Sequence, residues 1–129
     1  MTERIKSFRD LIVYQTTFKL QQEIFDTSKG FPKEELYSLT DQIRRSSRSI
    51  GANVAEAWHK RRYQAHFVSK LSDSDAEQAE TQHWLDTAMA CGYISHAKHH
   101  TLLEKCKKIG RMLGSMIAKP ETFCRQHSK

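Results

Sequence analysis

The sequence lacks the features that mark membrane, secreted and disulfide-bonded proteins. It has no apolar run near the roughly 20 residues that a membrane-spanning helix needs, and residues 1–6 lack the apolar stretch of a secretion signal. Cysteine is scarce: Cys91, Cys106 and Cys124 are odd in number and show no Cys-x-x-Cys spacing. These absences argue against a zinc knuckle and against a fully paired disulfide framework. We therefore expect a cytoplasmic protein with reduced thiols and no association with membranes.

Proline and glycine are also scarce, with two and five residues in a chain of 129. They punctuate the chain at Gly30-Phe31-Pro32, at Gly92 and at Pro120. Between these points apolar and small residues recur at steps of three or four, and no segment alternates with the period of a strand. The sequence therefore predicts an all-α fold, an antiparallel up-down-up-down four-helix bundle in a single domain over residues 1–129. The predicted helices cover approximately residues 8–28, 38–59, 64–90 and 96–118, and a tail covers residues 119–129.

Each predicted helix carries a stripe of residues that we expect to face the core. On the first helix the stripe is Leu11, Tyr14, Phe18 and Phe25. On the second it is Leu36, Leu39, Ile43, Ser47, Ile50, Val54 and Trp58. On the third it is Phe67, Leu71, Ser74, Gln78, Thr81, Trp84, Leu85 and Ala88, and on the fourth Leu102, Cys106, Ile109, Leu113, Met116 and Ile117. Two helix starts are also indicated, because Ser38 with Asp41 fits a capping box and Ser95 fits an N-cap.

Charge is distributed unevenly along the chain. The net charge is +6, yet residues 71–97 contain no lysine or arginine and carry five carboxylates. Residues 41–70 carry seven basic and two acidic side chains, and residues 98–129 carry eight basic and two acidic ones. Such segregation produces strong local fields and favours partners of opposite charge, nucleic acids among them.

The second predicted helix carries a motif that resembles the 23S ribosomal RNA intervening-sequence proteins. Asp41-Gln42-Ile43-Arg44-Arg45-Ser46 and Ser49-Ile50-Gly51-Ala52-Asn53-Val54-Ala55-Glu56 resemble that family's Gln-Ile-Arg-Arg-Ala and Ser-Ile-Pro-x-Asn-Ile-Ala-Glu-Gly. Residues 10–15, 31–35, 77–81, 92–95 and 109–113 resemble further family segments. Three positions depart from the pattern: Gly51 replaces proline, Ala57 replaces glycine and Tyr14 replaces tryptophan. Gly51 is expected to remove the proline kink and to leave a flexible point in the helix.

The resemblance implies a four-helix protomer that assembles into a ring, typically a pentamer. It also implies kinship with the accessory variability protein of diversity-generating retroelements, which binds nucleic acid and partners a reverse transcriptase. The function of most family members is unknown, so the resemblance does not itself assign an activity.

Two polar stripes on successive helices are predicted to meet. On the second helix the stripe is Gln42, Arg45, Ser49, Asn53 and Glu56, and on the third it is Asp73, Glu77 and Glu80. Because a short turn places the two helices antiparallel, we expect a structural polar seam that fixes register within the bundle or between subunits. A functional pocket is the alternative interpretation.

Basic residues beside aromatic ones form the candidate nucleic-acid-binding surface. Its members are Arg44, Arg48, Lys60, Arg61 and Arg62, close to Trp58, His59 and Tyr63, and Lys105, Lys107, Lys108 and Arg111 add a second basic face. Guanidinium groups bind phosphate bidentately, and aromatic rings stack on unpaired bases. The alternative interpretation is a solvated surface whose charges pair within the chain.

No set of residues indicates an enzyme. Glu56 with His59, and Glu80 with His83, have the Glu-x-x-His spacing of di-iron bundles, but both pairs are predicted to point away from the core. We therefore expect no catalytic site, no metal and no cofactor. The leading hypothesis is a non-enzymatic homo-oligomer, a pentameric ring, that binds RNA or DNA. The alternative is a scaffold that recruits an acidic partner protein.

Overall fold

The computed structural model describes residues 4–124, in which four α-helices and no β-strand are found. Helix α1 spans Ile12–Ser28, α2 spans Asp41–His59, α3 spans Gln64–Ala90 and α4 spans His96–Ala118. Short helical turns are Phe8–Asp10 before α1, Lys33–Glu35 and Leu36–Thr40 before α2, and Pro120–Thr122 after α4. Consecutive helices pack together, and α4 also packs on α1. The prediction of an all-α four-helix bundle is confirmed. Within the described range, no helix has the length and apolar character needed to cross a membrane.

One predicted helix start is confirmed and another is wrong. Ser95 caps α4, because its Oγ accepts a hydrogen bond from the backbone N–H of Lys98 at 3.0 Å. Ser38 does not cap α2: its Oγ donates to the Glu35 carboxylate at 2.7 Å. The π-helical turn Leu36–Thr40 leads directly into α2, which begins at Asp41. Because helical backbone precedes Asp41, the first N–H groups of α2 do not need a side-chain cap.

Helix α1 begins four residues later than predicted. Phe8–Asp10 forms a separate 3₁₀ turn, in which the Ser7 Oγ accepts from the Arg9 N–H at 3.1 Å. The Asp10 carboxylate in turn accepts from the backbone N–H groups of Lys6 at 2.8 Å and Ser7 at 3.2 Å. Leu11 then has an extended backbone, which separates this turn from α1. The capping interaction of Ser7 with Asp10 was not predicted, although the two residues have the required spacing.

The core faces of α2, α3 and α4 are confirmed for most of their residues. The buried members are Leu39, Ile43, Ser47, Ile50, Val54 and Trp58 on or before α2, Phe67, Leu71, Ser74, Gln78, Thr81, Leu85 and Ala88 on α3, and Leu102, Cys106, Ile109, Leu113 and Met116 on α4. Three residues differ: Leu36 is exposed, and Trp84 and Ile117 are only partly buried.

The core face predicted for α1 is confirmed only in part. Leu11 is buried and Tyr14 packs partly buried against the core, whereas Phe18 and Phe25 lie outside it. The buried residues of α1 are Val13, Thr17, Leu20, Ile24 and Ser28, whereas Phe18 is 45% exposed. Thr17 and Ser28 can be buried because each hydroxyl donates to a carbonyl of its own helix, at 2.8 and 2.9 Å. These short side chains let α1 approach α2 closely, and the aromatic residues are displaced toward the surface.

Small hydroxyl residues join α2 to α3 inside the bundle. The Oγ of Ser46 lies 2.8 Å from the Oγ1 of Thr81. The Ser74 Oγ donates to the carbonyl of Ile50 at 2.8 Å. Within residues 4–124, no buried side-chain nitrogen or oxygen lacks a hydrogen-bond partner. These buried contacts favour one register of α2 and α3, because shifting either helix by one residue would break both interhelical hydrogen bonds.

Candidate nucleic-acid interface

A basic groove of about 650 Å³ lies along the first half of α2. It is lined by Phe25, Tyr37, Asp41, Gln42, Arg44, Arg45, Arg48, Ser49 and Ala52, and we call it the arginine groove. Arg44 and Arg48 are one helical turn apart, and Arg45 is adjacent to Arg44 in sequence. Three guanidinium groups therefore share one concave surface.

The ring of Phe25 on α1 organises the cations of the arginine groove. The guanidinium carbons of Arg44 and Arg48 lie 4.7 and 5.3 Å from the ring centroid, and the Lys29 ammonium lies 4.8 Å from it. These distances are within the range of cation–π attraction. The Nε of Arg44 also donates to the buried Ser28 Oγ at 2.7 Å. Arg44 and Arg48 are thus positioned by an aromatic ring and a hydroxyl group. Because neither group is charged, the two arginines keep their full positive charge.

No carboxylate neutralises the arginine groove by direct contact. In the described part of the chain, no Asp or Glu oxygen lies within 4.0 Å of a side-chain nitrogen of Arg44, Arg45 or Arg48. Asp41 lines the groove, and Glu77 is near enough to Arg45 for the two charges to interact. Because neither carboxylate is in ion-pair contact with an arginine, the surface keeps a positive charge of the kind that binds phosphate.

The second part of the predicted surface lies at the opposite end of α2. Lys60 follows Arg48 by twelve positions, a separation of roughly 18 Å along the helix. Arg61 lies 3.7 Å from the centroid of the Trp58 ring, and its side chain donates to the Trp58 carbonyl at 2.7 Å. Trp58 itself is only 7% exposed. The expectation that Trp58 stacks on bases is therefore wrong, because Arg61 and the core cover it.

Arg62 and Tyr63 remain at this far end of α2. The Arg62 guanidinium carbon lies 5.8 Å from the centroid of the exposed Tyr63 ring. The structure therefore divides the predicted surface into the arginine groove and a separate patch around residues 60–63.

The basic face predicted on α4 is partly neutralised. The Nζ of Lys105 contacts both carboxylate oxygens of Glu23 on α1, at 2.6 and 2.7 Å. Lys107 lies 3.7 Å from Glu104. Lys108 and Arg111 are exposed on the same helix. For Lys105 the interpretation as a charge paired within the chain fits the structure.

The predicted polar seam is divided between two places. Asn53, Glu56 and Asp73 meet at Lys70, whereas Gln42, Arg45 and Ser49 line the arginine groove. The Lys70 Nζ lies 2.7 Å from Glu56, 3.4 Å from the Asn53 Oδ1 and 3.8 Å from Asp73. The hydrogen bond with Glu56 is the largest cause of the raised pKa of Lys70.

Lys70 was not predicted as a seam residue, because the stripe on α3 was defined by its acidic side chains and Lys70 is basic. In an antiparallel hairpin closed near residues 60–63, position 70 lies opposite position 56, and this register is the signal that points to the pair. The ion pair that joins α2 to α3 here therefore has its cation, Lys70, on α3 and its carboxylate, Glu56, on α2.

Glu77, another predicted seam residue, has a raised pKa. Partial burial is the largest cause, followed by the charge of Glu80, while Arg45 opposes the shift and Asp73 adds to it. Glu80 is also held within its own helix, because its carboxylate accepts a hydrogen bond from the Trp84 Nε1 at 3.0 Å. The acidic stripe is therefore a place where like charges are crowded on α3, and Arg45 relieves only part of the repulsion.

We expect Glu77→Gln to stabilise the protein near pH 7 and to have little effect near pH 4. Because the pKa of Glu77 is higher in the folded protein than its ordinary 4.5, the folded state binds the proton more tightly. The stability from this group is present below the ordinary pKa and is lost as pH rises through the folded pKa. Glutamine avoids that loss. Urea unfolding at both pH values measures the effect, with Glu34→Gln as the control for removing one exposed charge. Equal effects of Glu77→Gln at the two pH values would contradict the prediction.

Side chains that could supply other chemistry are not assembled. Among residues 4–124, no group of three or more His, Cys, Asp or Glu side chains is arranged to hold a metal ion. Burial raises the pKa of the Cys106 thiol to about 12, so this core residue is a thiol and not a nucleophilic thiolate. The arginine groove is therefore the described surface with the clearest capacity to bind a ligand.

Comparison with known proteins agrees with this architecture. The family model of the 23S rRNA-intervening sequence protein matches residues 9–115. A crystal structure of a protein with unknown function from the S23 ribosomal protein family of Bacteroides thetaiotaomicron VPI-5482 is 28% identical, with a TM-score of 0.76. The match covers 84% of this chain and 96% of that one. Among curated proteins, none matches the chain. Since the family model covers most of the sequence and includes α2 with its arginines, the chain belongs to the 23S rRNA-intervening sequence protein family.

Proposed function

We propose that the protein is a non-enzymatic homo-oligomer that binds the phosphate backbone of nucleic acid through the arginine groove. The observation that carries the proposal is the set of three arginines, Arg44, Arg45 and Arg48, in one groove without a carboxylate in ion-pair contact within residues 4–124. Phosphate oxygens match the geometry of guanidinium groups, and a bridging anion would relieve the repulsion among the arginines. The family description refers to an RNA sequence, which favours RNA as the first probe.

Exposed apolar side chains at one end of the bundle support self-association. Ile12 is 65% exposed and borders an apolar cleft of about 330 Å³ that also involves Leu11, Met112 and Phe123. Phe18 is a separate exposed ring on α1. An apolar cleft bordered by an exposed apolar side chain is a candidate protein interface. A ring of copies, a pentamer in our proposal, would repeat the arginine groove and strengthen weak phosphate contacts through avidity.

The test combines light scattering with fluorescence anisotropy on single- and double-stranded RNA and DNA at two salt concentrations. We expect a discrete oligomer that binds nucleic acid and loses affinity as salt rises. Each neutralised phosphate contributes a slope of about −0.7 to −0.9 in log affinity against log salt, so three arginines per protomer predict a slope steeper than about −2. A monomer would contradict the oligomer, and absence of binding at low salt would contradict the nucleic-acid function.

A second candidate is the scaffold that recruits an acidic partner protein. The same unpaired arginines suit carboxylates, and the exposed rings of Phe18 and Tyr37 suit a protein surface. A stable oligomer that binds none of the nucleic acids would favour this candidate. Salt-dependent capture of one acidic protein from a nuclease-treated lysate would then support it, and capture of nothing would count against it.

A further inference from the structure

Tyr37 occupies an unusual position at the rim of the arginine groove. Its side chain is 85% exposed, more than any other large apolar or aromatic side chain in residues 4–124. It also lines the groove that contains Arg44, Arg45 and Arg48. Placing a large ring in water costs free energy unless something covers it, so the combination of an exposed ring and unpaired cations points to a ligand with both apolar faces and negative charge.

The backbone that carries Tyr37 is held firmly in place. Tyr37 belongs to the π-helical turn Leu36–Thr40, and such turns are frequent at functional sites. Ser38 in this turn donates to the Glu35 carboxylate at 2.7 Å, and the Tyr93 hydroxyl donates to the same carboxylate at 2.8 Å. The two hydrogen bonds lower the pKa of Glu35. The bond between Tyr93 and Glu35 is also the main reason that the pKa of Tyr93 rises to about 12. The turn is thus tied to the α3–α4 connection, and the Tyr37 ring is presented from a fixed backbone.

The other aromatic residues near the arginines are already occupied. Phe25 lines the groove, but Lys29, Arg44 and Arg48 surround its ring at 4.7 to 5.3 Å. Trp58 is covered by Arg61. Tyr37 is therefore the groove residue whose ring face is open to a flat partner.

We propose that the arginine groove takes single-stranded nucleic acid, with phosphates bound by Arg45 and Arg48 and an unpaired base stacked on Tyr37. This inference rests on the proposed phosphate-binding function and assigns its substrate class. In a duplex the bases are paired and stacked on one another, so a duplex offers the groove its phosphates but no free base face. The groove volume of about 650 Å³ is within the range of about 300–1,000 Å³ of small-ligand sites.

The experiment uses the full chain and an oligonucleotide that contains one 2-aminopurine, as a single strand and annealed to its complement, in RNA and DNA forms. The variants are Tyr37→Ala, Tyr37→Phe and, as the matched control, Leu36→Ala, which truncates an exposed apolar residue of the same turn outside the groove. We expect the wild type to quench 2-aminopurine in the single strand. Tyr37→Ala should lower single-strand affinity about tenfold and abolish the quench, because one base–aromatic stack is lost. Tyr37→Phe should retain both.

Two readouts separate this inference from the proposed function. Tyr37→Ala should lower single-strand affinity more than duplex affinity and should not change the salt slope, since no phosphate contact is removed. If Tyr37→Ala and Leu36→Ala bind single strands as tightly as the wild type, the stacking assignment is overturned while the phosphate-binding groove stands. If the wild type binds neither form of RNA or DNA, the proposed function fails and the assignment fails with it. Circular dichroism confirms that each variant is folded.

Discussion

The double variant Arg45→Glu/Arg48→Glu is expected to bind nucleic acid about a hundredfold more weakly than the wild type, or worse. A hydrogen bond to a charged group contributes about 1.5–3 kcal/mol, so each lost phosphate contact costs about tenfold or more in affinity. The two glutamates would also repel the phosphate backbone. Both arginines are exposed, whereas Arg44 is partly buried and donates a hydrogen bond to Ser28. Fluorescence anisotropy at low salt measures the loss, and the salt slope should become shallower by about 1.4–1.8.

A matched control distinguishes the effect of the groove on affinity from the effect of the total charge. Lys98→Glu/Lys119→Glu changes the net charge by the same amount at exposed positions near the two ends of α4. This control should lower affinity only slightly. If both double variants lose affinity equally, the protein responds to its net charge and the groove is not the binding site.

A neutral variant guards against an effect on folding. Arg45 is close enough to Glu77 to oppose the rise in the pKa of that carboxyl, so a glutamate at position 45 would add to the crowding of negative charges around α3. Arg45→Gln/Arg48→Gln removes the two positive charges and adds no new carboxylate. We expect it to lose affinity by less than the charge reversal, with an unfolding midpoint nearer to that of the wild type.

The accuracy of the sequence predictions depended on whether spacing or hydropathy was used to choose the core-facing residues of a helix. For α3 the stripe included Ser74, Gln78 and Thr81 because spacing was followed rather than hydropathy, and all three are buried. For α1 the aromatic residues outweighed Thr17 and Ser28, which hydropathy places at the surface. Local hydrogen bonds from the two hydroxyls to their own helix remove the cost of burying them, and hydropathy does not register such bonds.

The candidate site was predicted only in part, for a related reason. Arg44 and Arg48 were predicted as phosphate-binding residues because they are basic side chains of α2, whereas spacing assigned Arg45 to the polar seam. All three line the groove, in which α1 supplies the Phe25 ring that Arg44 and Arg48 contact. Tyr37 was missed because residues 36–40 were interpreted as a capped helix start. Neither periodicity nor composition predicts a π-helical turn, so the position of an exposed ring beside the arginines emerges only from the fold.

Trp58 shows how two predictions from one sequence can compete. It lay on the apolar stripe of α2 and also beside the basic run of residues 60–62, so it was expected both in the core and as a stacking surface. A large ring on a core-facing position gains more from burial than from exposure, since burying such a side chain contributes about 1.5–3 kcal/mol. The structure accordingly buries Trp58 and places Arg61 over it.

Gly51 is the position at which the smallest substitution is expected to have a large effect on stability. Helix α2 runs through it without interruption, and the residue is buried against α1. A Cβ atom at this position would lie 2.9 Å from the Thr17 Oγ1 and 3.6 Å from the Tyr14 Cε1. Thr17 has a short, β-branched side chain, is fully buried and donates to the Tyr14 carbonyl, so it has little room to move. Two of the departures from the family motif, Tyr14 and Gly51, are thus direct neighbours.

We expect Gly51→Ala to destabilise the protein and Gly114→Ala to stabilise it. Alanine gains about 1 kcal/mol over glycine inside a helix, and at Gly114 the new Cβ meets nothing within 4 Å, so the free energy of unfolding should rise by about that amount. At Gly51 overpacking costs about 1–3 kcal/mol, so the net result is a decrease of up to about 2 kcal/mol. Urea unfolding of both variants measures the difference. Equal stabilisation by the two substitutions would mean that α1 moves away from α2 without cost.

A double-mutant cycle identifies the atom responsible. Thr17→Ala removes the Oγ1 that the new methyl group would meet, at the cost of a small cavity. Thr17→Ala should therefore lower the free energy of unfolding less in the Gly51→Ala background than in the wild type. We expect a coupling energy of about 0.5–2 kcal/mol that favours the double variant. Additive effects would place the strain elsewhere, with the Tyr14 ring as the remaining neighbour. A favourable coupling would mean that the close α1–α2 contact, and with it the position of Phe25 beside the arginines, depends on the absence of a side chain at residue 51.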